Sequence, residues 1–276
     1  MTHVVVAVDG SAGAARAADW AVEEADRRGV PLRLVCASLW ERCGPGPDDD
    51  LVGRLREAAH GMLAAEATRV SLRRPGVPVI TELLADETVP SLLRAGRGSA
   101  MLVLGSRGHG GFEGLLLGSV SLRVAARADF PVVVVRGPAR TETGRVVLGV
   151  GSRHLPGRAA DFALAEAACR KAELDVVHAW QQDVDFSGLS ALLDPSPARE
   201  RAEALLTAVA DQLEHDGAGV PVNRSCVPGG KASALLDAAV GADLLVVGCR
   251  RPFGRLGPVP HAMLHHAPCP VAVVTD

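Results

Sequence analysis

At 276 residues the chain is long for one compact domain and comfortable for two of about 140, each able to bury a core without disulfides or metals. Its hydrophobic residues, 48% of the total, fall in short runs that never approach the roughly 18 residues of a membrane span. A net charge of −3 with acids and bases interspersed, 3% aromatics and no tyrosine exclude both a basic footprint and a base-stacking surface for nucleic acid.

Met1-Thr2-His3 followed by Val4 to Val8 carries no basic region or cleavage site and reads as a first strand rather than a signal peptide. Six cysteines (Cys36, Cys43, Cys169, Cys226, Cys249 and Cys269) show no CxxC or CxxxC spacing. They argue against a zinc site and suit a reducing, cytoplasmic setting. Apolar runs at 4–8, 32–37, 78–84, 101–104 and 131–135 are short and Val/Leu-rich. Such continuous runs predict strands of a parallel sheet covered on both faces. Between them lie Ala-, Leu- and Arg-rich stretches at 13–28, 50–72, 88–96 and 119–128. In the first, Ala14, Ala17, Ala18, Ala21, Val22 and Ala25 recur at spacings of three and four, one buried helical stripe. Strands alternating with helices predict an α/β fold with right-handed crossovers. Ser38 to Asp50, with Gly44-Pro45-Gly46-Pro47, reads as an exposed loop, and 181–197 as its counterpart.

The chain repeats itself. Arg16-Ala17-Ala18-Asp19-Trp20-Ala21 returns 142 residues later as Arg158-Ala159-Ala160-Asp161-Phe162-Ala163. Leu102-Val103-Leu104-Gly105 returns as Leu245-Val246-Val247-Gly248, and Pro131 to Val135 as Pro270 to Val274. Agreement in constant register along the chain marks a duplication. The linker-like 137–144 separates domains at 1–138 and 145–276.

After the fourth strand of the first repeat runs Gly105-Ser106-Arg107-Gly108, then nine residues, then Gly118-Ser119-Val120-Ser121. Glycines directly after a strand let the backbone approach a phosphate and present bare N–H donors. Ser119 is positioned to cap the following helix, whose free amides and dipole favour an anion. The hydroxyls of Ser119 and Ser121 are candidate phosphate donors. No Gly-Lys-Ser/Thr follows, so this is not a Walker A loop; Glu113 stands where a dinucleotide fingerprint needs its third glycine. A flexible glycine-rich surface loop is the plain alternative.

Val6-Ala7-Val8-Asp9-Gly10-Ser11 together with the Gly-x2-Gly-x9-Gly-Ser of 105–119 resembles the universal stress protein family, across both repeats and nearly the whole chain. The resemblance implies two tandem Rossmann-like (adenine nucleotide alpha hydrolase-like) units, each a five-stranded parallel sheet of order 3-2-1-4-5 between helices. It implies ATP as ligand in the first repeat, with Mg²⁺ as the chemical companion of the phosphates. By matching position, Asp9, with Ala7 and Val8 before it, meets the nucleoside. The backbone of Ala37 meets the adenine, and Gly105, Arg107, Gly108, Gly118, Ser119, Val120 and Ser121 hold the ribose and phosphates. It further implies that the fifth strands, Val132–Val135 and Val271–Val274, pair as edges into an internal pseudo-dimer, with a homodimer and a protein client as further partners. Independently, strands one and four of such a sheet flank the switch point where open α/β sheets bind ligands. Asp9 ends one and Gly105 the other. As an alternative role, Asp9 is a helix cap for 12–28.

The second repeat departs from the pattern. Gly151 replaces Asp9, Arg251 stands in place of the second glycine, the final pair is Gly257-Pro258, and four residues are missing between Gly248 and Pro270. This repeat is expected not to hold ATP, although Arg250, Arg251 or Arg255 could hold another anion. His261 and His265 have metal-pair spacing without the Glu of HExxH and are read as a helix face; His178 is read as a core residue. Three functions follow for comparison: a nucleotide-binding stress-response regulator, a slow ATP hydrolase or phosphotransferase with His109 as its nearest candidate residue, and a nucleotide-independent interaction protein.

Overall fold

The computed structural model describes residues 2–37, 49–108, 116–137, 141–151, 157–181, 196–217, 219–250 and 255–275. The chain divides into two compact units between the fifth and sixth strands. In the first, β1 (Val4–Ala7), α1 (Ala12–Arg28), β2 (Leu32–Ala37), α2 (Asp49–Arg73) and β3 (Val79–Leu84) are followed by α3 (Thr88–Gly96), β4 (Met101–Gly105), α4 (Ser119–Arg127) and β5 (Val132–Val135). The second contains β6 (Arg145–Val150), α5 (Arg158–Arg170), β7 (Glu173–Trp180), α6 (Ser196–Asp216) and β8 (Val222–Pro228). It continues with α7 (Lys231–Ala238), β9 (Leu244–Cys249), α8 (Pro258–His266) and β10 (Val271–Thr275). Most of the two expected irregular stretches, 38–48 and 182–195, lies outside the described residues.

All strand pairs within the first unit are parallel, in the order β3-β2-β1-β4-β5. The second unit repeats it as β8-β7-β6-β9-β10. This is the expected 3-2-1-4-5 arrangement in both. The apolar runs form it because both of their faces are covered: Val4, Val5, Val6, Met101, Leu102 and Val103 are buried, as are the equivalent residues of the second unit, Val146, Val147, Leu148, Leu244, Leu245 and Val246. In the first unit α1 packs on α2, and α3 packs on α4.

Helix α1 shows why local sequence specifies its element. The Ser11 hydroxyl accepts from the Ala14 amide (3.2 Å), and Gly29 closes the helix in the left-handed region at φ 61. Its six-residue stripe, Ala14 to Ala25, is buried as the spacing predicts. Ionic ties hold α2 against it: Arg69 donates to the Ala15 carbonyl (2.9 Å) and contacts Asp19, while Arg73 meets Glu23 (2.8 Å). These pairs are half-exposed, so each contributes at most about 1 kcal/mol. In the second unit the Asp243 carboxylate accepts from the amides of Thr143 (2.8 Å), Gly144 (2.8 Å) and Arg145 (3.1 Å), fixing the entry into β6. Among the described residues no helix is long and apolar enough to cross a membrane.

Candidate functional site

Because β1 pairs with β4, their carboxyl ends lie side by side, and the site grows from the turns that leave them. Beyond β1, Asp9 Oδ1 accepts from the Ser11 amide (2.9 Å), and Gly10 makes the turn at φ 84. The cap of α1 is therefore Ser11, not Asp9, because the turn takes the chain two residues further before the helix starts. The other carboxylate oxygen of Asp9 stands where a Cβ on Gly108 would be. The start of α1 also lies directly against the end of β4. A Cβ on Gly13 would strike the Arg107 carbonyl oxygen, and one on Gly105 would come within 2.6 Å of the Gly13 carbonyl carbon. These glycines permit close backbone packing of α1 against the end of β4.

The second glycine cluster is pinned to the same strand end. The Gly118 amide donates to the Ser106 carbonyl (2.7 Å), and Ser106 donates in turn to Val135 (3.0 Å). Gly118 thereby becomes the N-cap of α4 (φ −75, ψ 149) without a side-chain cap. This corrects the expectation for Ser119, which is the first helical residue. The Ser121 hydroxyl donates to the Gly105 carbonyl (2.7 Å), so it braces α4 against β4 rather than offering a proton to a ligand. The first amide bonded within α4 is Leu122, to the Gly118 carbonyl (3.1 Å). Those of Ser119, Val120 and Ser121 meet no acceptor among the described residues, leaving three aligned donors at the positive end of a helix dipole.

These donors open onto a cavity of about 330 Å³. All eleven candidate residues line it: Ala7, Val8, Asp9, Ala37, Gly105, Arg107, Gly108, Gly118, Ser119, Val120 and Ser121. So do Ala14, Thr88, Leu92 and Leu104, which no motif singles out. Thr88 and Leu92 come from the start of α3, and the signal for them was topological: that helix follows β3, so its first turn lies at the carboxyl edge of the sheet. His109 lies outside the described residues. Chemically the cavity combines apolar walls with bare amides, an exposed guanidinium at Arg107 and one carboxylate. This composition fits an anionic ligand carrying a flat apolar part.

Cys36, which precedes Ala37 on β2, is buried. Burial pushes its thiol pKa up, and the nearby Asp9 charge pushes it further. Alkylation of Cys36 in the folded chain is therefore expected to rise with pH later than for an ordinary thiol. In Asp9→Asn the rise should move back toward lower pH, as followed by peptide mass analysis after timed iodoacetamide labelling. Superimposable profiles for the two proteins would show that the carboxylate does not act on the thiol.

The second unit dismantles the same construction. Gly151 supplies no carboxylate. Gly257 caps α8 (φ −66, ψ 166), but Pro258 and Pro260 occupy its first and third positions. Of the three amides that α4 presents, only the counterpart on Val259 exists. Arg250 and Arg255 are exposed, and Arg251 lies outside the described residues. His178, in the position of Cys36, is buried with Nδ1 against the Val150 carbonyl (2.9 Å), as expected of a core histidine. His261 and His265 stack at 4.4 Å, yet among the described residues no three His, Cys, Asp or Glu side chains gather as a metal site.

Residues 1–136 and 142–275 each match the family described as the universal stress protein family. A universal stress protein of Mycobacterium tuberculosis strain H37Rv is 32% identical over 287 residues, covering 98% of this chain and 96% of its own. Another from the same strain is 31% identical over 297 residues, covering 98% and 94%. Among solved structures, a universal stress protein from Archaeoglobus fulgidus superposes with a TM-score of 0.76 at 19% identity, over 99% of this chain and 98% of that one.

Proposed function

The chain belongs to the universal stress protein family, and from that premise we propose that it is a stress-response regulator whose first unit binds one molecule of ATP. The three bare amides of Ser119, Val120 and Ser121 carry this reading, because they open onto the cavity that Asp9 and Ala37 also line. Amides at a helix start recognise phosphate oxygens without a lysine. In the proposed arrangement the phosphates lie on the start of α4 beside Arg107, the ribose near Asp9 and Gly108, and the adenine along Ala37 and the apolar wall. Mg²⁺ would arrive with the phosphates. The second unit serves as the first unit's internal partner in a pseudo-dimer, in the cytoplasm, and nucleotide occupancy alters the surface offered to a client or a second chain.

Nucleotide stoichiometry tests the reading. Nucleotide released by heat from the purified chain, and calorimetric titration of the stripped chain, should both give one ATP per chain. ATP at a hundred times its Kd should raise stability by about 2.7 kcal/mol, a shift in melting midpoint of roughly 5–10 °C. No bound nucleotide and no shift would overturn the proposal. Two equivalents per chain would overturn the assignment of the second unit.

A further inference from the structure

The duplication places a natural experiment inside one molecule. Ala7 near the end of β1 corresponds to Gly149 near the end of β6, and Leu92 of α3 corresponds to Leu235 of α7. In the first unit Ala7 and Leu92 line the cavity together. In the second unit the leucine has come down onto the strand. A Cβ on Gly149 would lie 2.8 Å and 3.0 Å from the two Leu235 methyl carbons and 3.5 Å from Val247 Cγ1. The Leu235 methyls thus occupy the space that the Ala7 side chain keeps clear in the first unit. Real methyl groups do not approach one another below about 3.4 Å without displacement, so Leu92 cannot take the same position over Ala7.

We propose that the residue under this leucine, alanine in one unit and glycine in the other, determines which unit has an opening for a purine base. With a Cβ present, the leucine is held off the strand and leaves a cavity. With glycine, Leu235 becomes the internal occupant of the equivalent space. The loss of Asp9 and of two helix amides removes the grip on ribose and phosphates, and the Gly149–Leu235 contact separately closes the apolar end. Restoring the polar groups alone would leave the second unit shut. The proposal rests on the reading that the first cleft takes an adenine nucleotide, and it names the positioning pairs on which that selectivity depends.

Two sets of variants of the full chain test it. The first set needs no nucleotide. Gly149→Ala should lower the melting midpoint of the second unit by roughly 5 °C, because the new methyl must displace Leu235. In a Leu235→Ala background the same substitution should raise the midpoint, because the methyl then fills vacated space and alanine replaces a flexible glycine. A reversal of sign is the expected result; equal effects in the two backgrounds would overturn the proposal. The second set reads ATP affinity in the first unit. Ala7→Gly should weaken binding at least five-fold as Leu92 settles onto β1, and Ala7→Gly with Leu92→Ala should recover part of that loss. Wild-type affinity in Ala7→Gly would also overturn the proposal. If the unmodified chain takes up no ATP, the functional reading fails, while the first set still decides whether the leucine is the occupant.

Discussion

A chain carrying Ser119→Pro should melt at the wild-type temperature and bind ATP about ten- to a hundred-fold more weakly. Ser119 is the first residue of α4, and proline is at home in the first helical position, where its fixed φ suits the helix and its amide would be unbonded anyway. The substitution deletes one N–H that opens onto the cavity and one hydroxyl while leaving the helix, the Gly118–Ser106 bond and the Ser121–Gly105 brace in place. Hydrogen bonds to charged groups contribute about 1.5–3 kcal/mol each, which sets the size of the loss. Ser119→Ala, which keeps the amide, should cost only a few-fold and separates the two donors. The variant reproduces what Pro258 does at the start of α8. Unchanged affinity in a fully folded Ser119→Pro protein, measured by calorimetric titration, would show that the phosphates do not sit on α4.

The second large effect is on folding. Gly13→Ala should destabilise the first unit by about 2–3 kcal/mol, a fall of roughly 10 °C, and abolish ATP binding with it. The added methyl is aimed at the backbone carbonyl of Arg107. No rotamer change relieves that collision; α1 and the end of β4 must part. The parting opens the crevice between Asp9 and Gly105, so binding fails before the unit unfolds. Gly61→Ala is the matched control. Gly61 is exposed on α2 with open space around its α-carbon, and the same substitution there should raise stability by about 1 kcal/mol through helix propensity alone. Denaturant melts of the two variants should move in opposite directions; a Gly13→Ala midpoint at or above wild type would refute the close-packing role of this glycine.

Much of this architecture is legible without coordinates, for identifiable reasons. The strands are short, apolar on both faces and bounded by turn residues, so β1 and β4 are found nearly to the residue. Parallel order then forces Asp9 and Gly105 to one edge, and all eleven candidate residues line one cavity. What escapes the sequence is set by long-range bonds. Ser119 reads as a cap because serine is a good one, yet the Gly118 amide is tied to Ser106, twelve residues earlier, and that tie starts the helix one residue earlier than a Ser119 cap would. The Ser121 hydroxyl looks free until the Gly105 carbonyl is found 2.7 Å away. Thr88 and Leu92 carry no motif at all. Pro260 is the opposite case: its missing donor is visible in the sequence as soon as Gly257 is known to cap α8. Leu235 over Gly149 required coordinates, since neither residue is unusual in its own element.

The two bonds that pin α4 to β4 have a consequence for how this fold can change over generations. Gly118 is fastened to Ser106 and Ser121 to Gly105, so the start of α4 is held to the end of β4 at two points. With both bonds in place, the three amides keep their position whatever the length of sequence between Ser106 and Gly118. Each doubling of such a loop costs only about 0.6 kcal/mol of closure entropy, and the second unit, four residues shorter between its β9 glycine and the proline before β10, still places its helix after the same strand. The stretch is thus a natural grafting position. Insertions and replacements there could give each descendant its own surface beside three unaltered helix-start amides, without re-folding the sheet that supports it.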